Sequence, residues 1–363
     1  MIRYIIVLIL CFSNVFASET YSKSQVENMI AKMLILGFDG KEINSSSKIY
    51  KDIKKYNLGG VILFEKDSLS NKKYKNIQNS KQLKKLTSKL QDIRAEKLLI
   101  SIDQEGGYVQ RLRKSNGFIS TSSAKRTVKR GVVYAQKSYA KLALMLKENG
   151  INLNFAPVVD LSINPKNKVI VKLKRSYGKD PKVVSKYASI FINELEKQNV
   201  ISVLKHFPGH GSSNGDSHYG FVDVSNTWKK KELEPYEYLI ENNKVHMIMT
   251  AHVLNQKLDK QNPATLSFEI NTKLLREKLN YKGVLISDDL QMKAISNHYS
   301  LKQTLIQSIN SGVDILLFGN QIGNKVEVKT LVDIIYTQIK KGKISLNRII
   351  QSNKRINKLL RTI

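Results

Sequence analysis

Apolar runs of strand length recur along this chain with segments of helical period between them, and nothing else in it narrows the fold so far. The runs are Met33–Phe38, Leu58–Phe64, Leu98–Ile102, Ile151–Val159, Val200–Leu204, Val245–Thr250, Val284–Ile286 and Val313–Phe318. They are apolar throughout rather than alternating, which suits strands buried on both faces, as in parallel sheets. Between them, Ser24-x-x-Glu27 reads as a capping box opening a helix with Val26, Ile30 and Met33 on one stripe. Leu83, Leu86, Leu90 and Ile93 share one helical face, opposite Lys81, Lys84, Lys85 and Lys89. The last helix places Leu346, Ile349, Ile350, Ile356, Leu359 and Leu360 on one side. Eight strands alternating with helices predict an α/β fold, a single (β/α)8 barrel of the TIM type. A doubly wound open sheet is the competing arrangement. No Pro/Gly/Ser-rich linker divides the chain, which has only 6 prolines, so one domain is expected.

The N-terminus reads as a secretory signal. Arg3 precedes an apolar run from Ile5 to Phe12, and Val15-Phe16-Ala17 offers a small-residue cleavage site. The run is too short to span a membrane. The expected division is therefore a signal over residues 1–17 and a working domain over 18–363, exported to the periplasm or envelope with no stable membrane span after cleavage. Cys11, the only cysteine, lies in the signal. The mature chain is thus expected to use no thiol catalysis, disulfide or thiolate-bound metal. The formal charge is +30, from 60 Lys+Arg against 30 Asp+Glu, with lysines spread along the whole chain. This reads as a lysine-rich surface; attraction to anionic envelope polymers is the functional alternative. No nucleic-acid motif is present, so that partner is not expected.

Chemistry concentrates in Lys205-His206-Phe207-Pro208-Gly209-His210-Gly211-Ser212-Ser213-Asn214-Gly215-Asp216-Ser217-His218, which holds three of the six histidines. Asp216 and His218 are close enough for a carboxylate to orient an imidazole that titrates near neutral pH, a plausible general acid/base. Ordinary loop histidines remain the bland alternative. A metal site is not expected, because Pro208 and Gly209 break the one-face helical spacing that His206 and His210 would need. The glycine spacing matches neither nucleotide-binding fingerprint.

Charged residues also follow the other apolar runs: Asp103-Gln104-Glu105 after the third, Asp160 after the fourth, His252 after the sixth, and Asp288-Asp289 after the seventh. In a (β/α)8 barrel, chemistry gathers at these carboxyl ends. Strand alternation predicts that at most one of Asp288 and Asp289 faces the barrel mouth. One of the two could instead cap a following helix. A carboxylate opposite a proton donor is the arrangement of a retaining glycosidase.

Taken in order, Asp103-x-Glu105-Gly106-Gly107-x-Val109-Gln110-Arg111, Asn154-Phe155-x-Pro157-Val158-x-Asp160, Arg175-Ser176-Tyr177-Gly178, Lys205-His206-Phe207-Pro208-Gly209-His210-Gly211, Asp216-Ser217-His218 and Ser287-Asp288-Asp289-Leu290 resemble glycoside hydrolase family 3, in its β-N-acetylhexosaminidase branch. The resemblance runs from about residue 25 to 340. It implies Asp288 as the nucleophile and His218 as general acid/base with Asp216 as its dyad partner. It also implies that Asp103, Arg111, Arg175, Lys205 and His206 hold the hydroxyls of the sugar at the non-reducing end, where Asp accepts and Arg and Lys donate. The implied activity is exo-hydrolysis of β-linked N-acetylglucosamine, with no cofactor, by a monomer, on N-acetylglucosamine-containing glycans such as peptidoglycan fragments. The family's β-glucosidases usually take their acid/base from a second domain, which a chain of this length is not expected to carry. Tyr108 and Lys293 depart from the common pattern and bear on substrate preference. Three rivals stay open: a phosphorylase, since a histidine acid/base does not repel phosphate; an exported β-glucosidase; and an inactive glycan-binding barrel.

Overall fold

The computed structural model describes residues 21–69, 74–217, 220 and 222–363. Eight short strands form its centre: β1 Leu34–Gly37, β2 Gly60–Ile62, β3 Leu99–Ile102, β4 Leu153–Asn154, β5 Ile201–Phe207, β6 Met247–Thr250, β7 Val284–Ile286 and β8 Leu316–Phe318. Each pairs in parallel with the next, and β1 pairs with β8 through Leu34 and Leu316. A parallel bridge from Ile286 to Ile315 joins β7 to β8 and closes the ring. Seven of the eight predicted runs contain one of these strands whole, the fifth, Val200–Leu204, contains only the start of β5, and the closed order selects the barrel over the open sheet.

The strands form where they do because both of their faces are covered. Every residue of β1, β6, β7 and β8 is buried. Helices follow the strands in turn, namely Lys48–Tyr56, Ser80–Gln91, Val132–Glu148, Pro181–Glu196, Glu234–Glu241, a π-helix Glu269–Lys278, Leu301–Ser311 and Val328–Lys340. Helix Ser80–Gln91 buries Leu83, Leu86 and Leu90, while Lys81, Lys84, Lys85 and Lys89 are exposed, as their spacing predicts. The last helix, Leu346–Leu360, buries Ile349, Ile356, Leu359 and Leu360 against the barrel.

One cap differs from its prediction. The first helix, Lys23–Lys32, is opened by Ser22 and Gln25, not by Ser24 and Glu27. Ser22 N donates to Gln25 Oε1 at 2.8 Å and Gln25 N donates to Ser22 Oγ at 3.3 Å. The reciprocal bonds need a non-helical residue at the cap, and Ser22 is the last one. Glu27 instead sits one turn along from Lys23, at 3.6 Å.

At the amino-terminal end of the barrel a buried carboxylate ties helices to strands. Asp314, just ahead of β8, accepts from Arg276 at 2.7 Å, Arg348 at 3.0 Å and Arg355 at 3.1 Å. It also accepts from the Leu285 backbone N–H and the Ser352 hydroxyl. Burial alone would raise the Asp314 pKa, but the three guanidiniums hold it below the usual carboxylate range. The proposed signal, residues 1–17, lies outside the described residues. Among those described, no helix is long and apolar enough to cross a membrane.

Candidate active site

The carboxyl-terminal mouth of the barrel opens into a cavity of about 760 Å³. Asp103, Arg111, Arg175, Lys205, His206, Asp216 and Asp288 all line it. These are seven of the eight residues marked from sequence; the eighth, His218, lies outside the described residues. They come from the ends of β3, β5 and β7 and the loops beyond β4 and β5, which only the closed barrel brings together.

Lys205 is carried within β5, which runs on through His206 and Phe207 rather than stopping at Leu204. Its ammonium donates to Asp103 Oδ1 at 2.9 Å and lies 2.8 Å from Glu105 Oε1. Arg111 donates to the other oxygen of Asp103 at 3.3 Å. Arg175 forks onto Glu105, with Nε to Oε2 at 2.8 Å and Nη2 to Oε1 at 2.7 Å, while Nη1 donates to the Val169 carbonyl at 3.0 Å. The Lys205 and Glu105 side chains are only 3% and 6% exposed, so this is a buried charge network. Burial opposes ionisation at Asp103, Glu105, Arg175 and Lys205. It would raise Asp103 and Glu105, but Lys205 with Arg111, and Arg175 with Lys205, pull both below the usual carboxylate range. It would lower Lys205, but the two carboxylates push it up. The two carboxylates, Lys205 and Arg175 therefore stay charged at neutral pH, a fixed set in which Asp103 and the donors around it line the cavity and suit adjacent hydroxyls.

His206 is set by Asp160, whose Oδ2 lies 2.7 Å from Nδ1. Asp160 Oδ1 also accepts the backbone N–H groups of His206 at 3.2 Å and His210 at 2.8 Å. The carboxylate can only accept, so Nδ1 carries a proton, and Nε2 faces the Arg175 guanidinium at 3.5 Å. His210 also lines the cavity; burial first and the neighbouring His206 second push its imidazole down to about 4.

Asp288 and Asp289 both line the cavity. β7 ends at Ile286, so strand alternation does not extend to the pair, and of the two it is Asp289 whose side chain is turned to a local cap. Asp289 N donates to Asp288 Oδ1 at 2.8 Å, while Asp289 Oδ1 accepts from Gln291 N at 3.0 Å, so Asp289 caps the following turn. His252 Nε2 lies 2.9 Å from the Asp289 carbonyl and holds the same turn from β6. Asp216 is brought beside this loop because the Ser217 carbonyl accepts from Ala294 N at 3.2 Å. Phe64, Phe155, Met249 and Leu317 supply an apolar wall, against which a sugar ring face can pack. Among the described residues, no three His, Cys, Asp or Glu side chains converge as metal ligands.

The sequence profile described as Glycosyl hydrolase family 3 N terminal domain matches residues 25–359. The chain belongs to glycosyl hydrolase family 3. By family it is a glycoside hydrolase. It is 37% identical over 299 residues to Beta-hexosaminidase A of Pseudoalteromonas piscicida, covering 76% of this chain and 48% of that one. It is 33% identical over 288 residues to the Beta-hexosaminidase of Photobacterium profundum, covering 79% of this chain and 81% of the relative. The chain thus spans about half the length of the first relative and most of the second. A family 3 β-N-acetylglucosaminidase from Paenibacillus superposes with a TM-score of 0.82 at 32% identity, covering 93% of this chain and 62% of that structure.

Against the family's sugar-holding set, Glu105 and Asp160 are the residues that reading by role passed over. Both stand inside the recognised motifs, yet neither was assigned a part. Glu105 is the hub on which Arg175 and Lys205 are oriented, and Asp160 orients His206. Arg175 directs three of its N–H groups to Glu105 and Val169 and a fourth towards His206 Nε2, which leaves one for a ligand. The only signal was acidic residues at strand ends, which spacing alone does not sort into substrate-facing and supporting roles.

Proposed function

We propose that this family 3 hydrolase is a retaining exo-β-N-acetylglucosaminidase acting on peptidoglycan fragments outside the cytoplasm. The carrying observation is the convergence of Asp288, Asp216 and the Asp103–Lys205–Arg111 cluster on one cavity. Relatives named beta-hexosaminidase support the sugar class. In this reading the charged cluster grips the hydroxyls of the terminal sugar and sets its anomeric carbon against Asp288. The Asp288 carboxylate attacks that carbon, the glycosidic C–O bond breaks, and the leaving oxygen takes a proton from His218, which Asp216 orients. Water then enters, gives its proton back to the dyad and releases the sugar with its configuration kept. Proton transfer of this kind contributes about 10²–10⁴-fold. Lys66 and Lys293, both exposed at the cavity's rim, would meet the aglycone side. Their charge suits the lactyl and peptide carboxylates of wall fragments, and the signal-like N-terminus suits an envelope location.

Hydrolysis of a chromogenic β-N-acetylglucosaminide beside the matching β-glucoside tests the reading. Wild type should prefer the N-acetyl sugar, Asp288→Ala should be inactive, and His218→Ala should lose chiefly kcat. Cleavage of neither sugar by folded wild type would reject it, and sugar 1-phosphate formed only with added phosphate would replace hydrolysis by phosphorolysis.

A further inference from the structure

The segment between β5 and Asp216 is gripped from two sides. On one side the loop after β4 holds it: Asp160 takes the His210 N–H, and Asn167 donates to the His210 carbonyl at 2.9 Å. On the other side stands the turn Trp228–Glu232. Trp228, the chain's only tryptophan, donates from its indole nitrogen to the Pro208 carbonyl at 2.9 Å. Glu232 reaches under the next residues. Gly209, at φ +121°, lies so close that a Cβ there would fall 2.7 Å from Glu232 Cβ. Glu232 Oε1 accepts from the Lys229 N–H at 3.1 Å. Its second oxygen and the hydroxyl of Ser212 are both buried and lie side by side without a well-aligned hydrogen bond between them. Glu232 is 1% exposed.

A buried carboxyl without a paired cation, facing a buried hydroxyl it meets only loosely, is costly in either ionisation state unless something uses it. We infer that the Trp228–Glu232 turn is a clasp positioning the loop that carries Asp216, and that ionisation of Glu232 tightens it onto Ser212. Glu232 is a positioning residue, since it touches the loop and not the cavity. The ionised carboxylate can be satisfied there only by donors, and the Ser212 hydroxyl and N–H are the ones beside it. The groups facing Glu232 are Asp160 from the β4 loop and Tyr236 from the next helix, with His206 and His210 around Asp160. Burial foremost, and Asp160 further down, push the Glu232 carboxyl up to about 7 against the pull of Ser212 and Lys229. The clasp therefore changes state near neutral pH. The inference rests on the proposed acid/base role of the Asp216 loop only for its effect on turnover.

Trp228 reports on the clasp directly. Its fluorescence should titrate with a midpoint near 7 in wild type. Glu232→Gln, which keeps the shape without the charge, should abolish that transition. Ser212→Ala, which removes the donor facing the carboxylate, should raise its midpoint. With a chromogenic glycoside, the ratio of wild-type to Glu232→Gln kcat should be roughly tenfold or more at pH 8 and should approach unity near pH 5.5, with KM little changed. The same fluorescence transition in Glu232→Gln would overturn the inference, as would a kcat ratio independent of pH. Inactive wild type would reject the hydrolase reading instead, while the substrate-free fluorescence would still decide on the clasp.

Discussion

At the scale of single residues, Glu105 explains more of the site than any group assigned from sequence. It neutralises Arg175 and Lys205 together at a buried position, and without it Lys205 would keep only Asp103 while Arg175 would lose the carboxylate it contacts. Removing one partner of such a network leaves uncompensated buried charge, worth roughly 3–5 kcal/mol. Glu105→Gln should therefore lower stability by about that amount and reduce kcat/KM by about 10²-fold as Lys205 drifts. Urea unfolding beside steady-state kinetics checks both, and an unchanged unfolding midpoint would remove Glu105 as the hub. Asp103, Lys205 and His206 were legible as chemistry because charged residues rarely end apolar runs by chance. Glu105 and Asp160 were legible only as motif letters. Whether a carboxylate faces a substrate or another side chain depends on what arrives from strands a hundred residues away.

At the scale of elements, the loops after β4 and β5 act as one unit. A Cβ on Gly211 would lie 1.7 Å from the Leu161 carbonyl, so the two loops touch backbone to backbone there. Gly211→Ala must push them apart, carrying the Pro208–Ser213 segment and Asp216 with it. An overpacking cost of about 1–3 kcal/mol is expected, with kcat falling more than KM rises. Thermal unfolding and kinetics would show it, and a fully active, equally stable variant would mean the contact is free to relax. The strands were readable because burial on both faces writes continuous apolar runs. Their carboxyl ends were not, as β5 shows: Lys205 and His206 look like loop residues but pair within the barrel, because Asp103, Glu105 and Asp160 satisfy them there. The parallel ribbon of Val222–Asp223 with Val253–Leu254 and the π-helix also left no pattern in the sequence distinct enough to predict.

At the scale of the whole molecule, two buried groups bend the pH dependence of stability in opposite senses. Glu232 has its pKa raised by burial to about 7, so its contribution is present below the unfolded value near 4.5 and is lost as pH rises through 7. His210 has its pKa lowered by burial to about 4, so its contribution is present above the unfolded value near 6.5 and is lost as pH falls through 4. Each shift corresponds to about 3 kcal/mol, and the two nearly cancel between pH 4.5 and 6.5. Glu232→Gln should unmask a stability that rises with pH across this window, and His210→Gln one that falls. Denaturant unfolding at pH 5 and pH 8 reads the two slopes, and parallel curves for both variants would contradict the burial argument. Below about pH 4 the depressed carboxylates Asp103, Glu105, Asp160 and Asp314 take over, and protonating them should unfold the chain.

By itself the sequence determined the parallel (β/α)8 architecture, its family and the set of side chains at the barrel's mouth. Those follow from local quantities: runs of apolar residues long enough to be buried on both faces, helical stripes of matching period, and motif residues in a fixed order. Tertiary structure alone decided which of those side chains reach the cavity and which hold others in place. It set Arg175 and Lys205 on Glu105, made Asp289 the cap of the turn beside Asp288, and put Glu232 beneath the loop of Asp216. The physical reason is that charge and desolvation act through space at 3 Å, between residues whose separation along the chain carries no trace of the contact.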